Sequence, residues 1–451
     1  MVTALIAVTA FLVTSALGYL MIVAAASVAG AISRGGRRER AADAYQALAV
    51  SRFTIPVSVI VPVDGECPTL SQSIRAMLDL NYPELEIIVV AESVTEPAVD
   101  ALKKAWALEP KELFYRRTLH TAAVDRIFSS GRDPRLVVIE KAVSGRADAL
   151  NCGVSFARNR YVVSVNPEIA FDPDALLRLM SPALRDPAAV LAVTSYVERR
   201  AGPHCDASHE DGGAAFRPPQ SAPGTSDPGW IAAGDDYQRL ASIRSWMASR
   251  LAWHQLRCGL PPRDGVTAWR RDAVMELGGF STTAADAELD LLVRLQTSQG
   301  DGPSGRVVRT SEVFGHAATL TVHGAAALAA RRQTALLEAL KTFRQTPGSS
   351  PARRTMKIVV GAELLTSAAQ GLVAVLIVAA AALGWVSWKA PYLTFLMLTF
   401  GYAVVSASAL LLRGGTPGAP SGPELTRLLL RAPLEFAVYR PALVWARFVG
   451  R

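Results

Sequence analysis

The chain has 451 residues, half of them hydrophobic, a formal net charge of +8 and four cysteines. That length suits one large domain or two ordinary ones. The positive charge gathers beside apolar stretches and forms no basic stripe, which argues against nucleic acid as a partner. Cysteines 67, 152, 205 and 258 lack the CxxC spacing of a zinc or redox site, so free thiols are expected.

Residues 2–29 carry no charge. They are long enough to cross a hydrocarbon core of about 30 Å, and too long, with no basic lead, for a cleaved signal peptide. We read 1–32 as a retained transmembrane helix and 33–55, with Arg34, Arg37, Arg38 and Arg40, as a basic juxtamembrane linker. From 56 to 199, strand-like runs alternate with helical ones. PVSVIVPV (56–63), LEIIVVAE (85–92), RLVVIEK (135–141), YVVSV (161–165) and AVLAVTSYV (189–197) alternate with SQSIRAMLDL (71–80), EPAVDALKKAW (96–106), ADALNCGVSFARN (147–159) and PDALLRLM (173–180). This predicts an α/β fold, a parallel sheet with helices on both faces. Ligands of such sheets sit beyond the carboxyl ends of the strands, which points to the loops after Val63, Val90 and Val165.

Residues 200–230 are rich in Gly, Pro and Ser and read as a disordered insertion; HCDASHED (204–211) within it reads as a mobile surface loop, not a metal site. A second half of the soluble part follows over 231–350, opening with a helical stretch that places Leu240, Ile243, Met247 and Leu251 on one face. Residues 357–413 then read as a transmembrane hairpin. Its first span, 358–385, contains one charge, Glu363, and its second, 392–412, none. Arg353, Arg354 and Lys357 precede the hairpin and Arg413 closes it. With the arginines after residue 32, these flanks place the central domain in the cytoplasm of a multi-pass cell-membrane protein. The last segment, 420–451, mixes Arg427, Arg431 and Arg440 with leucines and aromatics. An amphipathic helix lying on the membrane is the expectation, packing on the domain the alternative.

Several stretches together carry a family resemblance: VSVIVPV, LNYPELEIIVV (80–90), GRADALN (145–151), DPDAL (172–176), WRRDAVMELGGF (269–280) and EFAVYRPALVWARF (435–448). In these the chain resembles, over most of its length, the membrane-bound family 2 glycosyltransferases, GT-A enzymes related to cellulose, hyaluronan and poly-N-acetylglucosamine synthases. The resemblance implies a Rossmann-like nucleotide-sugar transferase domain with three transmembrane helices, one N-terminal and two C-terminal. It implies transfer of a hexose from a nucleotide-sugar, a UDP-sugar first among them, to a glycan or lipid-linked acceptor, with Mg²⁺ or Mn²⁺ as cofactor.

Residue by residue, it assigns Val63 and Glu66 to the donor loop after the first strand. Glu92 falls where an Asp meets the nucleobase or ribose, and Arg146 where a Lys nears the donor phosphates. Asn166 and Glu168 stand in place of the metal-binding Asp-x-Asp. Glu288, reached without gaps from the GGF stretch, stands in place of the general base. Arg331 and Arg332 fall in the motif that meets acceptor and pyrophosphate. At 92, 168 and 288 the carboxylate is kept with one more methylene than the family's Asp.

Each residue also has a structural reading: Glu66 and Glu92 as solvated loop carboxylates, Arg146 as a helix-start residue, Glu288 as a charge suited to a helix N-terminus. Three functions therefore stay open. One is a divergent glycosyltransferase, in which three spans are too few for a polymer channel and export calls for partner subunits or an oligomer. The second is an inactive relative serving as a scaffold in a glycan-assembly complex. The third is a membrane anchor unrelated to sugars.

Overall fold

The structure is a computed structural model that describes residues 54–63, 70–92, 96–112, 118–200, 229–247, 265–298, 306–345, 351–385, 387–414 and 419–443, with Gly18, Met21 and Ala25. The expected N-terminal span, the loop holding Asp64 to Cys67 and nearly all of the 200–230 insertion lie outside the described residues. The chain forms two compact units, Arg37–Thr225 with Gly259–Ala318, and Met1–Gly36 with Ser226–Cys258 and Thr319–Arg451.

The first unit is built on a ten-stranded sheet. Its strands are β1 (Val57–Val63), β2 (Leu85–Glu92), β3 (Leu108–Pro110), β4 (Val124–Ser130), β5 (Leu136–Lys141), β6 (Tyr161–Ser164), β7 (Ala170–Phe171), β8 (Val190–Arg200), β9 (Gly265–Arg270) and β10 (Arg306–Ala318). They lie in the order β3-β4-β5-β2-β1-β6-β9-β8-β10-β7. β5, β2, β1 and β6 run parallel, and β8 runs parallel to β10; every other neighbouring pair is antiparallel. The sheet is thus mixed, with the expected parallel strands at its centre and antiparallel pairs on either side. The parallel centre comes from the most continuous Val/Ile runs, as strands buried on both faces require; every residue of β1 is buried.

Helices α1 (Leu70–Leu78), α2 (Glu96–Trp106), α3 (Arg146–Phe156) and α4 (Ala175–Arg185) alternate with these strands, and α6 (Arg271–Glu276) and α7 (Ala287–Ser298) follow β9. Leu70, Ile74 and Met77 of α1 and Leu176, Leu177 and Met180 of α4 join the β1 and β2 side chains in one apolar cluster. α3 lies unusually close to the sheet: a Cβ on Gly153 would stand 2.3 Å from Ile60 Cγ2. Because α3 follows the parallel strand β5 after four residues, its N-terminus stands at the carboxyl edge of the parallel strands.

The second unit is helical, with α5 (Gly229–Met247), α8 (Val322–Gln345), α9 (Pro351–Ala382), α10 (Lys389–Arg413), α11 (Gly422–Leu434) and a π-helical turn at Glu435–Tyr439. Among the described residues, α10 alone is long and apolar enough to cross a membrane by length and composition. The expected 358–385 span falls largely within α9.

α11 is capped by a Ser421–Glu424 capping box. It is tied to α5 by charge: Arg427 reaches Asp236 at 3.0 Å, Arg431 pairs with the same carboxylate, and Arg239 pairs with Glu424. Arg244 forks onto Glu435 and donates to the Ser406 hydroxyl at 2.6 Å. Leu430, Leu434 and Val438 stay exposed.

Candidate active site at the carboxyl edge of the sheet

Four strand ends frame the site: Val63, Glu92, Lys141 and Ser164 close β1, β2, β5 and β6. Val63 is buried at the end of its strand; Glu66 lies outside the described residues.

Glu92 is buried, and its Oε1 accepts the backbone N–H of Ser144 at 3.0 Å and of Gly145 at 2.6 Å. Its register partner is Lys141, whose ammonium lies 3.6 Å from the same oxygen and 2.9 Å from Asp148 Oδ1. Lys141 Nζ also donates to the Ala142 carbonyl at 2.9 Å and to the Ser144 hydroxyl. Asp148 in turn accepts the Ala122 N–H. Burial alone would raise the Asp148 carboxyl, but its hydrogen bonds from Lys141 and Ser144 hold it below the usual carboxylate range. A lysine with no exposed surface is tolerable only with such partners. The whole β5–α3 loop is therefore clamped, and Gly145, at φ +89°, supplies the left-handed turn that starts α3.

Arg146 is the first residue of α3, and its guanidinium stands 3.5 Å from Glu288 Oε1. Glu288 lies in the first turn of α7, where the helix dipole favours an anion. Burial pushes its carboxyl above the usual carboxylate range; the Arg146 cation opposes this, the nearby Asp286 adds to it, and the Ser164 hydroxyl at the end of β6 opposes it again. The side chain still keeps 22% of its surface exposed.

Three contacts aim α7. Asp286 accepts the Leu289 N–H at 3.0 Å, and Arg294 donates to the carbonyls of Leu277 and Gly279 at 2.7 Å each. Asn151 of α3 pairs with the Phe280 backbone through both amide atoms, at 2.8 and 2.7 Å. Gly279, at φ +82°, is required there: a Cβ would meet Asn151 Oδ1 at 2.4 Å. The GRADALN and GGF stretches, far apart in the chain, are thus one structural joint.

The loop after β6 is a fixed turn. Pro167 is buried and its carbonyl accepts the Ser73 hydroxyl, while the Asn166 side-chain oxygen accepts the Glu168 N–H at 3.2 Å. Asn166 and Glu168 are both exposed. Among the described residues no three His, Cys, Asp or Glu gather as a metal cluster. One carboxylate and one amide oxygen on a single turn suit Mg²⁺ or Mn²⁺ when phosphate oxygens complete the shell, since Mg²⁺ is commonly held by one or two carboxylates plus substrate phosphates.

The neighbouring DPDAL acids are structural. Asp172 holds Arg178 at 2.8 Å and Asp174 accepts from Asn81 at 2.9 Å. Arg331 and Arg332 lie on α8 of the helical unit, the first exposed and the second buried 3.6 Å from Glu363.

Sequence reasoning passed over Lys141, Asp148, Asn151, Asp286 and Arg294. Asp148 and Asn151 lay within the GRADALN stretch, and the local signal for Lys141 was a charged pair, Glu140 and Lys141, closing the apolar run LVVI.

Comparison with known proteins gives one family-model match over part of the chain and a set of distant structural matches. No curated protein matches the chain. Among solved structures, a mannosyltransferase, PcManGT, from Pyrobaculum calidifontis, in complex with GDP-Man and Mn²⁺, aligns at 17% identity and a TM-score of 0.49, covering 92% of this chain and 99% of its own. S. aureus TarS 1-349 aligns at 12% and 0.40, covering 88% and 92%. Glucosyl-3-phosphoglycerate synthase from Mycobacterium tuberculosis, with Mn²⁺, uridine-diphosphate and phosphoglyceric acid, aligns at 14% and 0.37, covering 68% and 84%. The family model described as Glycosyl transferase family 2 matches residues 58–223, from β1 through β8.

Proposed function

We propose that the chain is a membrane-bound glycosyltransferase that moves a hexose from a nucleotide-sugar to a glycan or lipid-linked acceptor at the cytoplasmic face of the cell membrane. The observation that carries this reading is the facing pair at the sheet edge, Arg146 and Glu288, 3.5 Å apart. One is a cation suited to phosphate oxygens, the other a carboxylate whose raised proton affinity suits a base. Glu288 takes the proton of the acceptor hydroxyl as that oxygen attacks the anomeric carbon, and Arg146 holds the diphosphate charge. A divalent cation held by Glu168 and Asn166 would neutralise the departing diphosphate. Membrane attachment is supported by the length and apolar character of α10 and by the basic residues flanking the apolar stretches.

The test is nucleotide release and sugar transfer by the purified full-length protein across a panel of nucleotide-sugars, UDP-sugars first, with Mg²⁺ or Mn²⁺. Glu288→Ala is expected to lower turnover by roughly 10²–10⁴-fold, the usual worth of a general base. No turnover by the wild-type protein on any donor would overturn the reading. A scaffold role in a glycan-assembly complex is then the second reading, favoured by the engagement of Glu92 with loop backbone and of Asn166 with its own turn.

A further inference from the structure

We infer that Glu92 is a positioning residue: it sets Arg146 through the backbone of the loop between β5 and α3, and it does not read the nucleobase. The inference rests on the reading of this sheet edge as a donor pocket. The geometry is direct. Glu92 Oε1 accepts two consecutive backbone N–H groups, Ser144 at 3.0 Å and Gly145 at 2.6 Å. The next residue is Arg146, the group that faces Glu288. Gly145 offers no side chain to cap α3, so the Glu92 carboxylate anchors the helix start from the neighbouring strand.

The extra methylene of a glutamate matters here. An aspartate on the same backbone would fall about one carbon–carbon bond, roughly 1.5 Å, short of the loop amides. The longer side chain carries the carboxylate across to them. Lys141, fully buried, fixes the arrangement from below through Glu92, Asp148 and Ser144. The carboxylate is buried and faces the loop backbone, so discrimination between uracil and guanine does not run through it.

The proposal ranks substitutions by reach and not by charge. Glu92→Gln keeps the length and an acceptor oxygen; Glu92→Asp keeps the charge and loses the reach; Glu92→Ala loses both. The first measurement is amide hydrogen exchange of Ser144 and Gly145 in the full-length protein, which needs no ligand. Exchange is expected to accelerate about tenfold or more in the Asp and Ala variants, the equivalent of one charge-assisted hydrogen bond, and to change only a few-fold in Gln. Unchanged exchange in Asp and Ala overturns the proposal.

The second measurement is affinity for UDP, GDP and inorganic pyrophosphate. Glu92→Asp is expected to weaken all three by the same factor, about tenfold, and to have no further effect on pyrophosphate in an Arg146→Ala background. A changed UDP-to-GDP ratio with pyrophosphate untouched would assign Glu92 to the nucleobase and overturn the inference. If the wild-type protein binds none of the three ligands, the donor-pocket reading falls, and hydrogen exchange still decides whether Glu92 sets the loop.

Discussion

Two glutamates stand at the same edge of one sheet, each beside a basic side chain, and they are held in opposite ways. Glu92 is 6% exposed and filled by two backbone amides, with the Lys141 ammonium behind it. Glu288 is 22% exposed and faced by the end of a long arginine that is itself 34% exposed. Backbone donors cannot leave their acceptor without unfolding the loop, so Glu92 is committed to structure. An arginine tip can swing to a phosphate by changing rotamer, so Glu288 can exchange its partner for a substrate. Fixed or exchangeable donors separate the acid built into the loop from the acid proposed to react more clearly than residue type does.

That contrast breaks if the two cations prove equally important for stability. Lys141→Met would leave Glu92 and Asp148 buried beside no cation, and a loss of about 3–5 kcal/mol is expected. Arg146→Ala, in a partly exposed pair, should cost no more than about 1 kcal/mol. Denaturant midpoints of the two variants check this directly.

The joint between the regions offers a sharper probe. Gly279→Ala forces a side chain into a left-handed conformation, worth about 1–2 kcal/mol by itself. It also drives a methyl group against Asn151 Oδ1. Because Arg294 and Asn151 link that turn to α7 and α3, turnover should fall by a larger factor than Arg146→Lys produces. A stability loss with full activity would show that Glu288 is aimed by something else.

The smallest expected effect is on pH dependence. Burial raises the Glu288 carboxyl, so in its proposed role as base it is lost, as pH falls, at a pH above the ordinary glutamate range. The acidic limb of kcat/KM reports the free enzyme and should lie there. Arg146 opposes the rise, so Arg146→Ala should move the limb to still higher pH. A limb that moves down would mean that another group carries the titration.

Much of this was legible in the residues and some was not, for physical reasons. β1, β2, β5 and β6 announce themselves as Val/Ile runs because they are buried on both faces. β4, VDRIFSS, and β10, RVVRTSEVFGHAA, carry charges within the strand and give no such run, so the mixed character of the sheet was hidden. The spacing from GGF to Glu288 lands on the first turn of α7, beside Arg146, and the short α6 with its two-glycine turn lies just before it. For Glu92 the position was legible and its contacts were not. Its partners are backbone amides some fifty residues later, and backbone amides leave no mark on residue identity. Lys141 was passed over because a strand-closing lysine usually faces water.

The pairing of β8 with β9 has one more consequence. Tyr196 lies opposite Gly265, so the chain leaves the sheet and returns to it on adjacent strands. Between those points it travels through α5, which belongs to the other unit. That excursion is therefore a shared tether and not a spare insertion: its ends belong to the sheet, while Asp236, Arg239 and Arg244 in its middle pair with Arg427, Arg431, Glu424 and Glu435 of the helical unit, so a change there is felt in both.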